Sequence, residues 1–282
     1  MKKALILVFM VIITLALTSC SQERQSNDQA DIEALINGTY AYFFNGDGAT
    51  GNDDPGNGMG NSIGGTATQP QVWWRSVETY SRTISIDFPY DGHADVEVED
   101  VYNGRLHVDR SHDWQLNPGV RNWTCQRLQY CTFDKAGENW YLSGISLGRW
   151  LMNEGAQQLV NITSLRVQAA DYDRTFTDPY VIIPWEELPT LAVNSNITVT
   201  MVATNSSGST WVPKTFGYLH YTPYNRDPMV EAPTGTFTDS CPASGDEWGY
   251  IAGDAIDSSM LQTENGTDYN WDVWGLPFKI QQ

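Results

Sequence analysis

Ile197-Thr198-Val199-Thr200-Met201-Val202-Ala203-Thr204-Asn205 places an apolar residue at every second position from Ile197 to Ala203, with threonine between most of them. Side chains of an extended chain alternate between two faces, so this stretch reads as a β-strand burying Ile197, Val199, Met201 and Ala203. Outward from it, residues 162–170, 180–183, 215–221, 235–238, 249–256 and 276–280 are further short strand candidates, separated by clusters of Pro, Gly, Asn and Asp. Regular short strands punctuated by turn signals predict a β-sandwich over residues 159–282.

Residues 31–150 have a different style. Ile32, Leu35, Ile36, Tyr40, Phe43 and Phe44 recur at steps of three and four, the spacing of one helix face, in a helix beginning near Asp28 or Asp31, weakened at Gly38 and broken at Asn45-Gly46. Residues 45–65 then carry eight glycines with Asp47, Asn52, Asp53, Asp54, Asn57 and Asn61, which predicts a solvated loop. Calcium is the alternative for so many oxygen donors, although the ligand order of a helix-loop-helix calcium loop is absent. Residues 82–88 alternate with Ile84, Ile86 and Phe88 on one side. Residues 94–108 read as a hairpin around Tyr102-Asn103-Gly104, and residues 122–134 and 139–147 as two extended runs joined by Lys135-Ala136-Gly137-Glu138. A three-residue loop with a left-handed Gly104 would set Glu99 against His107. Asp95, Glu97, Glu99 and His107 would then share one face, either as the wet side of a sheet or as an acid/base cluster. A short, weakly patterned connection near 149–158 marks the boundary between two separately folding units.

The 282 residues include 16 Lys plus Arg against 34 Asp plus Glu, a net charge of -18. Such a chain repels polyphosphates, which excludes a nucleic-acid partner on electrostatic grounds. With 41% hydrophobic residues it can still bury substantial cores. Of the four cysteines, Cys125 and Cys131 are a tempting pair, but one extended strand would hold them roughly 20 Å apart, beyond the ~7 Å that a disulfide bridges. The histidines are scattered and none has a second ligand at helical or knuckle spacing, so no metal or cofactor site is predicted. Nucleophile-elbow, zinc-protease, phosphate-loop and dinucleotide signatures are absent from the sequence, and no catalytic residue is assigned.

Met1-Lys2-Lys3 and the apolar run 4–17 have the form of a signal peptide too short to span a bilayer. The following Leu17-Thr18-Ser19-Cys20 resembles the bacterial lipobox. That resemblance implies cleavage after residue 19, lipidation of Cys20, a polar tether over 20–30, and a location in the bacterial envelope, at the outer membrane or cell surface.

The helix over 31–44, the extended runs and the strand Trp140-Tyr141-Leu142-Ser143-Gly144-Ile145-Ser146 together resemble the cone-shaped α+β fold of the nuclear transport factor 2-like superfamily. Its members are enzymes, ligand carriers or dimerisation modules. Residues 197–205, followed by Gly217-Tyr218-Leu219-His220-Tyr221, resemble central strands of an immunoglobulin-like domain. The expectation is therefore an α+β cone-like domain followed by an all-β immunoglobulin-like sandwich, forming a membrane-anchored, non-enzymatic binding or structural protein. The alternative is a small-ligand carrier or enzyme using a cavity in 31–150. Trp211, Tyr218, Tyr221, Tyr224, Trp248, Tyr250, Tyr269, Trp271 and Trp274 are either packing residues or a docking surface for a protein or glycan. Trp271 and Trp274, beside Asp268, Asn270 and Asp272, are the candidate binding pair.

Overall fold

The computed structural model describes residues 26–44, 72–110, 117–152, 157–221, 226–243, 250–262 and 270–281. The signal stretch, Cys20, the 45–65 loop with its calcium alternative, and Tyr224, Trp248, Asp268 and Tyr269 lie outside the described residues.

A first helix, α1, covers 26–37, and a second, α2 (Ala41–Phe44), follows a turn at Gly38. The break has a steric side, since a Cβ on Gly38 would lie 2.8 Å from the Ala34 carbonyl oxygen. Ile32, Ile36, Phe43 and Phe44 are buried as the helical spacing predicts, with Leu35 and Tyr40 packed beside them. Residues 26–30, expected as part of a polar tether, are helical and belong to α1. Asp28 there accepts from Lys135 Nζ at 2.5 Å and Trp140 Nε1 at 3.0 Å.

Three long antiparallel strands follow: β1 (Val72–Tyr90), β2 (His93–Asp109) and β3 (Gly119–Ala136). Asp91-Gly92 makes the first hairpin, with Tyr90 opposite His93 and Gly92 at φ +83°. Gly137-Glu138 makes the next, as predicted, leading into β4 (Asn139–Ile145) with Gly137 at φ +65°. The hairpin expected at Tyr102-Asn103-Gly104 is overturned. There β2 runs on unbroken, with Gly104 opposite Val77 on one side and Trp123 on the other. A glycine is needed because a Cβ would fall 2.0 Å from the Ser76 carbonyl oxygen and 2.8 Å from the Trp123 ring, beside a bulge in β1 at Glu78.

Beyond β4 the chain bends and returns to β3 as β5 (Gly148–Met152), and the sheet continues through β16 (Trp271–Pro277), β15 (Tyr250–Asp257), β11 (Thr215–His220) and β12 (Arg226–Pro228). β8 (Ile183–Pro184) pairs with β4 at the side of this ten-stranded sheet. The sheet curls until its first and last strands approach. Arg226 donates to the Trp73 carbonyl at 2.9 Å, and Trp73 Nε1 to the Tyr218 hydroxyl at 3.2 Å. A five-stranded antiparallel sheet, in the order β13 (Val230–Glu231), β14 (Thr236–Pro242), β10 (Asn196–Asn205), β6 (Val160–Ala169) and β7 (Tyr172–Phe176), lies against its other face. Ile197, Val199, Met201 and Ala203 of β10 are buried there, as the alternation requires. A parallel pair, β9 (Thr190–Ala192) with β17 (Lys279–Gln281), completes the strands, and a short helix, α3 (Ser258–Gln262), follows β15.

The molecule is thus mostly β, built from large antiparallel sheets in a sandwich-like arrangement. β11, β15 and β16 are buried along their whole length because they are covered on both faces. The division between 150 and 159 does not separate two cores, since Trp150 and Arg149 of β5 stand opposite Val273 and Trp274 of β16. One hydrophobic cluster runs from Ile32 through Phe133, Leu165 and Met201 to Phe278. A second, with Trp73, Trp123, Trp150, Tyr250 and Trp271, fills the inside of the curl. Residues 20–152 and 157–282 produced as separate chains should therefore each lack a cooperative melt and dispersed amide spectra, while the joined chain shows both. A half that melts cooperatively alone would restore the two-unit division.

Candidate functional site

The buried charges of the concave face are consumed in structure. Cross-strand register sets Arg82, Asp100 and Arg127 in one row across β1, β2 and β3. Asp100 accepts from Arg82 Nε and Arg127, each at 2.7 Å. Both guanidiniums also reach the Phe44 carbonyl, at 2.6 and 3.0 Å, so they satisfy the exposed backbone end of α2. The Tyr250 hydroxyl accepts from Arg127 at 2.5 Å and donates to the Phe43 carbonyl. Deeper in the curl, Arg75 pairs with Asp254, which also bonds His220 Nε2 at 3.0 Å. Burial works against both carboxylates, but the neighbouring cations prevail and hold Asp100 and Asp254 below their ordinary range. Their ionisation contributes stability above the unfolded carboxylate pKa, lost as pH falls through the depressed folded values.

Trp271 and Trp274 are corrected as a candidate binding pair: they are 0% and 2% exposed. The Arg75 guanidinium lies 3.8 Å from the Trp271 ring centroid, and Trp123 meets that ring edge-on. Trp274 belongs to the cluster between the sheets. Both lie on strand β16, in a stretch where turn residues suggested a loop. Among the other aromatics Tyr218 and Tyr250 are buried, Tyr221 is partly buried, and Trp211 is exposed.

The described cysteines are equally unreactive. Cys125 and Cys131 occupy the same unbroken strand, buried with free thiols, and burial pushes both thiols upward. Cys241 is also free, and burial pushes its thiol up to about 12. Thiolate chemistry needs the opposite shift.

The predicted acidic face exists, but not as drawn. Asp95, Glu97, Glu99 and His107 do point to the same side of β2. Without a turn, however, eight residues separate Glu99 from His107, roughly 26 Å of strand. His107 instead stacks on Trp74, with centroids 4.5 Å apart, and hydrogen-bonds Ser76 Oγ at 3.1 Å. Glu99 accepts from Gln126 Nε2 at 2.6 Å. The acid/base cluster is therefore overturned.

Asp95 and Glu97 join a different group. Register sets Ser85, Glu97 and Tyr130 in one cross-strand row and Asp87, Asp95 and Thr132 in the next. These outward residues floor a groove of about 460 Å³, with Tyr180 and Ile182 as an overhanging wall. Gly144 lets that wall approach, since a Cβ there would lie 2.6 Å from Ile182 Cγ2. Tyr130 meets Tyr180 edge-on at 5.3 Å. Arg149 hydrogen-bonds Tyr180 from behind, and its Nε and Nη2 each bond Asp272 at 3.0 Å. Burial and a hydrogen bond to Glu97 push the Tyr130 hydroxyl up to about 12, so it stays a neutral donor. At the rim His93 bridges Asp134, 2.6 Å from Nδ1, and Asp95, 3.3 Å from Nε2. Burial depresses the imidazole, but those carboxylates outweigh it and raise its pKa.

Among the described residues no three His, Cys, Asp or Glu side chains converge to hold a metal ion. Single-strand reading misses Ser85, Asp87, Tyr130 and Thr132 because only sheet register brings them together, and Tyr180 because it arrives from a turn distant in sequence. No protein family, curated protein or solved structure matches the chain.

Trp271→Ala should destabilise the protein by about 3–5 kcal/mol in urea unfolding, the range for truncating a fully buried large aromatic. Trp211→Ala, at an exposed ring, should stay within about 0.5 kcal/mol of wild type. A Trp271→Ala chain as stable as wild type would contradict the packing role.

Proposed function

We propose that this chain is a lipid-anchored, extracytoplasmic binding protein of the bacterial envelope that recognises a partner through the groove and carries out no reaction on it. The observation that carries the reading is the groove itself: an open depression of about 460 Å³ on the outward face of β1–β3, with carboxylates, hydroxyls and two tyrosines set among the apolar Ile86, Val96 and Ile182. Concave sites with a few placed polar groups and aromatic walls are where proteins take ligands. Its chemistry favours holding over turnover, for the Tyr130 hydroxyl, bonded to Glu97, is pushed up to about 12, and burial pushes the Cys131 thiol upward.

The anchor rests on the Leu17–Cys20 motif, and the charge of -18 disfavours nucleic acid. The ribbon β1–β4 curved over α1 and α2 supports the cone-like reading of 31–150. The five-stranded sheet stacked on β15 and β16 supports the immunoglobulin-like reading of 159–282. A carrier with an interior cavity in 31–150 is the weaker alternative, because Tyr102, Arg127, Trp150 and Tyr250 fill the concave side.

The test uses intact cells producing the full chain with a photocrosslinking residue at Thr132, in the groove, or at Thr198, on the outward face of β10. Thr132 should yield a discrete adduct and Thr198 none, and an alkyne fatty acid should label wild type but not Cys20→Ser. Equal crosslinking from both positions would overturn the groove as the binding face. Unlabelled wild type would overturn the anchor.

A further inference from the structure

We propose that the partner presents a lysine- or arginine-bearing peptide segment, whose cationic side chains enter the groove between the carboxylate rows and the tyrosine wall. This inference rests on the groove being the binding face and specifies what it takes. Asp87 and Asp95 stand directly opposite each other on β1 and β2, and Glu97 lies in the adjoining row. Like charges paired across strands destabilise a sheet, so this arrangement costs stability until a cation is supplied.

Among the described residues no lysine or arginine supplies one, and His93, at the rim, meets only Asp95 of the three. Lys and Arg are absent from the groove lining, and Asp87 has neither an ion pair nor a hydrogen bond among the described residues. The nearby lysine and arginine are engaged elsewhere. Lys135 holds Asp28, Arg149 holds Asp272, and His93 is shared between Asp134 and Asp95 at the rim. Ser85, Asp87 and Asp95 are exposed on this sheet face among the described residues.

Charge complementarity then selects the occupant. A chain of net charge -18 draws cationic partners from a distance and repels anionic glycans, lipids and nucleic acids. At close range the neutral rings of Tyr130 and Tyr180 suit a cation, since the face of an aromatic ring attracts ammonium and guanidinium groups. A divalent metal is a poorer fit, because the carboxylates lie along two strand rows without converging. An extended peptide matches that linear spacing, as successive side chains on one side of a strand repeat at about 6.6 Å, twice the rise per residue.

The experiment is fluorescence anisotropy of labelled hexalysine with the full lipidated chain in neutral detergent, with hexaglutamate, cellohexaose and calcium chloride as comparators. Three variants are compared with wild type: Asp95→Asn with Glu97→Gln in the groove; Thr132→Lys, which places a cation there; and Asp171→Asn with Glu138→Gln, which removes the same charge from exposed turns. Melting curves confirm that each variant is folded. Hexalysine should bind saturably, more weakly at high salt, and about tenfold more weakly to either groove variant, while the turn variant stays within about twofold of wild type.

Equal weakening in the turn variant would reduce the effect to general attraction and overturn the inference, as would the absence of saturable hexalysine binding. Tighter cellohexaose or calcium binding, lost with the groove variants, would overturn the cationic occupant while sparing the groove. Failure of every probe together with equal crosslinking from Thr132 and Thr198 would remove both.

Discussion

Arg149 grips Asp272 with two hydrogen bonds of 3.0 Å across the β5–β16 pairing, and the rest of the structure depends on that joint. Asp272 is fully buried, and its second oxygen also accepts the Ile162 backbone N–H at 2.8 Å, at the start of the five-stranded sheet. One carboxylate therefore meets the early strands, the late strands and the second layer. Such a group is expensive to desolvate and is tolerated only when every lone pair is used, which makes its geometry exacting. The same Arg149 hydrogen-bonds Tyr180, which meets Tyr130 edge-on, and Tyr130 bonds Glu97. The wall of the groove is thus fixed from behind by the joint that unites the two parts of the chain.

The two faces of the β1–β3 ribbon consequently have different tasks. On the concave side Arg82 and Arg127 converge on Asp100 and the Phe44 carbonyl, so buried charge anchors a helix end. Those charges are paired with one another. On the convex side Asp87 and Asp95 oppose each other, with His93 beside Asp95 and no lysine or arginine lining the groove among the described residues.

Much of the strand content was legible in the sequence, because β10 and the lower part of β1 each bury one face and alternate accordingly. The helical positions from Ile32 to Phe44 were legible for the same reason. What stayed hidden follows from non-local pairing. β15 and β16 are covered on both sides, so their residues do not alternate, and Trp271 and Trp274 among Asp and Asn residues read as an exposed turn. The hairpin was expected at Gly104, twelve residues beyond the actual turn. Asp91-Gly92 turns the chain, while Gly104 lies in mid-strand because the Trp123 ring and the Ser76 carbonyl leave no room for a Cβ. Of the groove, Asp95 and Glu97 could be seen on one strand, but Asp87, Tyr130 and Tyr180 join them only through register and through a wall from distant sequence.

Native-state hydrogen exchange tests the central claim, that β5–β16 pairing makes one cooperative unit of the chain. The account predicts that the slowest amides of β2 and β3 and those of β10, β15 and β16 share one opening free energy and one dependence on urea, the signature of a single global unfolding event. If the amides of 72–152 open together at distinctly lower free energy while those of 160–281 remain protected, the joint is a contact between separate units and the account is contradicted.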